Sequence, residues 1–136
     1  MSVILHLETA TKNCSVAISK SGVIIALKER FSEKFSHSEK LHDFIQEVLK
    51  EAQIEMSSLD AVAVSKGPGS YTGLRIGVAA AKGICFAMDL PLIGLNSLQV
   101  LSEKYQSNNQ AILFPMFDAR RMEVYVMALN EKKEIL

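Results

Sequence analysis

The sequence carries no net charge: 15 Lys and Arg are set against 15 Asp and Glu, with three His besides. Phosphate backbones are held by clustered cations, so a balanced chain is not expected to hold nucleic acid strongly by itself. Two local basic spots, Arg120-Arg121 and Lys132-Lys133, are offset by Glu123, Glu131 and Glu134. The two cysteines, Cys14 and Cys85, are too few for a structural zinc site and read as buried thiols of a reducing, cytoplasmic setting. No run of residues approaches the length of a membrane span, so no membrane partner is expected. The apolar start, Met1 to Leu7, lacks the basic opening of a signal peptide and runs into Glu8. A metal-binding histidine pair is missing too. His37 and His42 lie five residues apart, which does not place two ligands on one helix face, and His6 sits in an apolar strand as a packed residue. No metal site is expected.

What is present is enough apolar material, 49% of 136 residues, to bury a core without staples. The chain is organised around residues 65–77, Ser-Lys-Gly-Pro-Gly-Ser-Tyr-Thr-Gly-Leu-Arg-Ile-Gly. An apolar run, Ala61 to Val64, precedes this stretch as a buried strand, and a small-residue run, Val78 to Ala87, follows it as a helix. A glycine turn between strand and helix invites a phosphate-binding reading, since the free N–H groups of a helix start attract anions. The spacing is wrong for it. A P-loop requires a lysine after its last glycine, and none stands near Gly73; a dinucleotide fingerprint requires glycine where Thr72 stands.

The helix divides into faces. Leu74, Val78, Ala81, Cys85 and Met88 recur at helical spacing toward the core, while Gly73, Gly77 and Ala80 leave a bare strip bordered by Ile76, Ala79 and Gly83. Glycine within a helix costs about 1 kcal/mol relative to alanine, so the strip needs a compensating contact. Close packing on the chain's own sheet would supply one. A helix of another subunit lying on the strip, with Tyr71, Thr72 and Arg75 around it, would supply the other.

Taken in order, Val3 to Leu7 reads as a strand, Glu8 to Asn13 as a polar turn, Cys14 to Ser19 and Val23 to Lys28 as further strands, with a tight turn at Lys20-Ser21-Gly22. Residues 31–36 read as a mobile loop anchored by Phe31 and Phe35. Ser36 and Glu39 form a capping box for a helix from about His37, with Leu41, Phe44, Ile45, Val48, Leu49 and Ala52 as its apolar stripe. After Pro91, Leu92 to Leu95 is a short strand, and Asn96 with Gln99 caps a helix carrying Leu98, Leu101 and Tyr105. The polar stretch 107–110 reads as a linker, giving a first lobe over 1–106 and the start of a second over 107–136. There, Ala111 to Phe117 predicts a strand, Asp118 to Arg121 an acidic corner, Met122 to Leu129 a strand, and Glu134 to Leu136 a third. This repeats the opening plan, with Asp118 where Glu8 stood. Such a meander leaves Phe114, Val124 and Val126 without a second layer, so the expectation is that the second copy is incomplete or that a partner covers this face.

A repeat of three strands with an acidic corner, completed by alternating helices and strands, resembles the actin-like ATPase, sugar kinase and heat-shock chaperone superfamily. The residues Glu8-Thr9-Ala10-Thr11, Cys14 to Ala17, Gly67 to Gly77, and Asp118-Ala119-Arg120 with Glu123-Val124-Tyr125 are similar to those of the TsaB (YeaZ) family. The fold this implies is α/β: an actin-like (ribonuclease H-like) lobe with a mixed five-stranded sheet and helices, plus the opening β-meander of a second lobe. The function it implies is that of a non-catalytic partner subunit, dimerising with TsaD, in the complex that transfers threonylcarbamoyl to adenosine beside the tRNA anticodon. TsaE is the second implied partner, and a homodimer is expected in isolation.

The partner-interface residues that the resemblance indicates are Gly67, Pro68, Gly69, Tyr71, Thr72, Gly73, Arg75, Ile76, Gly77 and Ala80. A bulky residue at Gly77 is then expected to abolish pairing and leave the fold intact. Glu8, Thr9, Thr11 and Asp118 are the nucleotide-proximal candidates. No tightly bound cofactor is expected; ATP or ADP and magnesium belong to the full complex. The alternatives are a glycoprotease-like metallopeptidase homologue, which needs the missing histidine pair, and a sugar-kinase-like phosphotransferase, which needs a complete second lobe.

Overall fold

The computed structural model describes residues 1–32, 37–105 and 111–136, the side chains of 37–39 aside. The capping box at Ser36 and Glu39, the Phe35 anchor and the linker at 107–110 lie outside them.

Apolar residues alternating with small or polar ones build an antiparallel meander: β1 (Val3–Glu8), β2 (Asn13–Lys20) and β3 (Val23–Phe31). The polar turn is shorter than predicted, because Glu8 still pairs with Ser15 across the ladder. The third strand is longer: Phe31 pairs with Asn13 at its far end and is an exposed edge residue, not a loop anchor. Helix α1 (His37–Ala52) returns across the sheet, burying Leu41, Ile45 and Val48 on it. Lys28 on β3 reaches across to Glu51 of α1 at 3.0 Å.

A 3-10 turn (Met56–Ser58) leads to β4 (Ala61–Ser65), every residue of which is buried. Strand β4 lies parallel to β1, and β5 (Leu92–Leu95) lies parallel to β4, giving the order β3-β2-β1-β4-β5. Between them runs α2 (Tyr71–Met88), which starts seven residues before the predicted Val78 because Ser70 caps it, accepting a hydrogen bond from the Gly73 N–H at 3.2 Å. Helices α1 and α2 cover one face of the sheet. Leu5, Leu7, Val16, Ile18, Val62 and Val64 point into that layer and form the core with Leu41, Ile45, Val48, Ala81 and Cys85. Helix α3 (Ser97–Ser102) is capped by Asn96, whose side chain accepts from the N–H of Leu98 at 2.9 Å; Tyr105 lies beyond its end.

The remaining residues form a separate two-stranded ribbon, β6 (Met116–Arg120) and β7 (Glu123–Val126). The predicted acidic corner is mostly strand: Asp118 pairs with Val124, and the chain turns only at Arg121-Met122, at the end of that corner. The reason is the alternation of half-buried and exposed residues, which runs unbroken from Ala111 to Arg120 and carries the strand through Asp118. Residues 111–115 and 127–129, predicted as strand, contribute only the bridge between Leu113 and Leu129, and the third strand shrinks to a bridge between Leu129 and Ile135. Glu8 therefore ends β1 whereas Asp118 sits mid-strand in β6. An ion pair of 2.7 Å joins Lys133 to Glu103 just beyond α3.

Candidate functional site

The stretch after β4 folds back onto the first turn of the chain. Lys66 donates its N–H to the Leu95 carbonyl at 2.8 Å, and Ser97 donates to the Gly67 carbonyl at 2.9 Å, so the turn is fixed to β5 and to α3. The Gly67-Pro68 peptide bond is cis, and Gly67 (φ +112°) and Gly69 (φ +155°) take conformations that side-chain-bearing residues rarely adopt. At Gly69 a β-carbon would lie 2.5 Å from the carbonyl oxygen of Ala10. The next residue, Ser70, donates its N–H to that same oxygen at 2.7 Å.

Helix α2 continues the contact. Gly73, Gly77, Ala81 and Cys85, spaced by four, are its buried residues. Thr9 is fully buried, donates its hydroxyl to the Gly73 carbonyl at 2.8 Å, and fills the space where a β-carbon on Gly77 would stand. Of the two explanations for the bare strip, close packing on the chain's own framework is what the structure contains at Gly73 and Gly77. A bulky residue at Gly77 would therefore collide with Thr9 within the fold. The predicted core-facing Leu74, Val78 and Met88 are only half-buried, since the small residues have taken the innermost line.

The opposite face of α2 is largely open, with Ile76 half-buried against the edge of the core. Tyr71 is 75% exposed with the Arg75 guanidinium 5.5 Å above its ring, a cation–π pair at the surface. Thr72, Ile76, Ala79, Gly83 and Phe86 follow one another at alternating spacings of four and three, the period at which one helix meets another along a seam. Phe86 is 92% exposed, and a β-carbon on Gly83 would meet nothing within 4 Å. Ile76, Ala79, Ala80, Gly83 and Ile84 line a shallow apolar groove with His42 of α1. Thus Tyr71, Thr72, Arg75, Ile76 and Ala80 of the predicted interface lie on or beside this face, Gly73 and Gly77 face the other way, and Gly67, Pro68 and Gly69 form the turn at its end. The reading of the glycines missed His42, Ile84 and Phe86; the four-three spacing ending at Phe86 is the signal that could have found the last of these.

The nucleotide-proximal candidates separate as well. Glu8, Thr9 and Thr11 share one turn. One Glu8 carboxylate oxygen accepts the Ala10 N–H at 2.7 Å and the other accepts the Ser65 hydroxyl, while Thr11 accepts the Asn13 N–H at 3.2 Å. Asp118 lies on the ribbon, accepting the Arg120 N–H at 2.7 Å. Thr9 is buried with its hydroxyl on the helix, and each Glu8 oxygen accepts one hydrogen bond from the chain, so these two side chains tie the turn to β4 and α2. Among the described residues no three His, Cys, Asp or Glu come together as a metal site. Cys14 and Cys85 are free thiols pushed up in pKa by burial. His6 is half-buried and hydrogen-bonded to the Ser19 hydroxyl at 2.8 Å. No helix among the described residues is long and apolar enough to cross a membrane.

Comparison with known proteins places this geometry. Residues 32–136 match the family model described as TsaD, tRNA N6-adenosine threonylcarbamoyltransferase. The chain belongs to this family. Among the relatives it resembles are TsaB proteins. The tRNA threonylcarbamoyladenosine biosynthesis protein TsaB of Escherichia coli is 32% identical over 123 residues, 90% of this chain and 52% of that protein. The TsaB of Bacillus subtilis is 31% identical over 133 residues, 98% of this chain and 57% of that protein. The solved structure of YeaZ from Pseudomonas aeruginosa superposes with a TM-score of 0.85 at 30% identity, covering 96% of this chain and 60% of that one. The chain spans just over half the length of these two TsaB proteins. The likeness to YeaZ and the mixed five-stranded sheet make the fold the α/β, actin-like and ribonuclease H-like type expected.

Proposed function

We propose that this chain is a non-catalytic partner subunit in the modification of tRNA, supporting the transfer of a threonylcarbamoyl group to adenosine beside the anticodon. It docks on a TsaD-type transferase through the outer face of α2, and in that protein's absence pairs with a second copy of itself. The working setting is the cytoplasm, with TsaE joining the assembled complex.

The observation that carries this reading is the seam of Thr72, Ile76, Ala79, Gly83 and Phe86. It presents an almost wholly exposed aromatic ring beside a glycine with open space above it. Small residues let a second helix approach closely, and an exposed Phe supplies the knob that such a surface lacks. The TsaB names of the relatives point to the same pathway. The test is light-scattering mass on a sizing column, for the chain alone and then mixed with a TsaD. A homodimer that gives way to a mixed complex supports the proposal, and a mass unchanged by TsaD refutes it.

A further inference from the structure

Thr9 lies away from the seam, yet its side chain is the one on which α2 rests. Four contacts join the turn after β1 to the start of α2. The Thr9 hydroxyl donates to the Gly73 carbonyl at 2.8 Å, and the Thr9 side chain fills the space beside Gly77. The Ala10 carbonyl accepts the Ser70 N–H at 2.7 Å, and Gly69 lies against that same carbonyl. Two of the four, at Gly73 and Gly77, fall on successive turns of the helix, so they fix both its height above the sheet and its rotation about its own axis. The outer seam belongs to the same rigid helix, and its residues keep their direction only while that rotation is held.

We infer that Thr9 is a positioning residue for partner docking: it sets the rotation of α2, and through it the presentation of Ile76, Ala79, Gly83 and Phe86, without touching the partner. The inference rests on the docking face proposed above. It gives the buried Thr9 hydroxyl, which is turned into the helix, a role in the presentation of the seam. The hydroxyl carries both contacts: it donates to the Gly73 carbonyl and is the atom nearest the position of a Gly77 β-carbon, while the methyl stands 3.4 Å from that position. Its hydrogen bond is the directional contact, because a bond to one carbonyl selects a single rotation whereas packing tolerates several.

The test uses the whole chain with a TsaD as the probe, and compares Thr9→Val, Thr9→Ser and Phe86→Asp by titration calorimetry. Thr9→Val keeps the volume and loses the donor, and is expected to weaken docking about tenfold, within the range found when residues remote from a site alter it. Thr9→Ser keeps the donor and is expected to bind within about twofold of the unaltered chain. Equal binding by Thr9→Val and the unaltered chain overturns the inference, as does a Thr9→Ser chain no better than Thr9→Val. Phe86→Asp separates the two layers of argument. If it binds normally, the docking face itself is wrong; if it fails to bind while Thr9→Val binds fully, only the role of Thr9 is wrong.

Should Thr9→Val not fold, hydrogen exchange on the unaltered chain decides. Coupling is reciprocal, so adding TsaD is expected to slow exchange at Ser70, whose N–H bonds Ala10 behind the helix. Unchanged exchange there overturns the inference.

Discussion

Gly69 lies so close to Ala10 that a β-carbon on it would stand 2.5 Å from the Ala10 carbonyl oxygen, the same atom that accepts the Ser70 N–H. The backbone at Gly69, with φ at +155°, is one that other residues enter only at a cost. The glycine is thus required twice over, by its own conformation and by its neighbour. Gly69→Ala is expected to lower unfolding free energy by about 1–3 kcal/mol, measured by denaturant titration. An unchanged midpoint would show that the turn relaxes freely and does not clamp the helix.

Two glycines of one helix should respond in opposite directions. Gly77 has Thr9 where its β-carbon would go, so Gly77→Ala forces an overpacked contact and is expected to cost about 1–3 kcal/mol. Gly83 faces open space, so Gly83→Ala removes only the flexibility of glycine in a helix and is expected to stabilise by about 0.5–1 kcal/mol. Thermal unfolding of the two variants checks the assignment of faces. The same sign at both positions would contradict it.

His6 makes stability depend on pH. Its imidazole is half-buried against Ser19, and burial lowers its pKa below the ordinary 6.5. The folded chain therefore favours the neutral ring, while the unfolded chain takes up a proton near pH 6.5. The contribution is fully present above that pH and is lost as pH falls below it toward the folded value. Unfolding free energies measured from pH 8 down to 5 should decline across that window, and His6→Gln should flatten the decline. A variant with an unchanged profile would place the titration elsewhere.

Much of this was legible in the residues. Alternation gave β2, apolar runs gave β1 and β4, the apolar stripe gave α1, and the glycine turn between strand and helix was read at the right place. The faces of α2 were harder. Glycine marks a close approach but does not say to what, and Thr9, the side chain that decides it, lies more than sixty residues from Gly73 along the chain. Local pattern holds no trace of such a contact. The small-residue run was read as helix from Val78, with Gly73, Leu74 and Gly77 already placed on its faces; the Ser70 cap and the Thr9 contact hold that first turn in place although glycine is a poor helix former. On the ribbon the polar residues from Asp118 to Arg121 were read as a corner, whereas Asp118 pairs with Val124 and the strand runs on through Arg120.

The measurement that bears most directly on the account is the affinity of Phe86→Asp for a TsaD, with its melting temperature recorded alongside. Phe86 is 92% exposed and supports nothing in the fold, so stability should be unaltered. An aromatic hot spot in an interface typically carries about 2 kcal/mol or more, so docking should weaken about thirtyfold or beyond. A variant that binds like the unaltered chain would contradict the claim that the outer face of α2 is where this protein meets its partner.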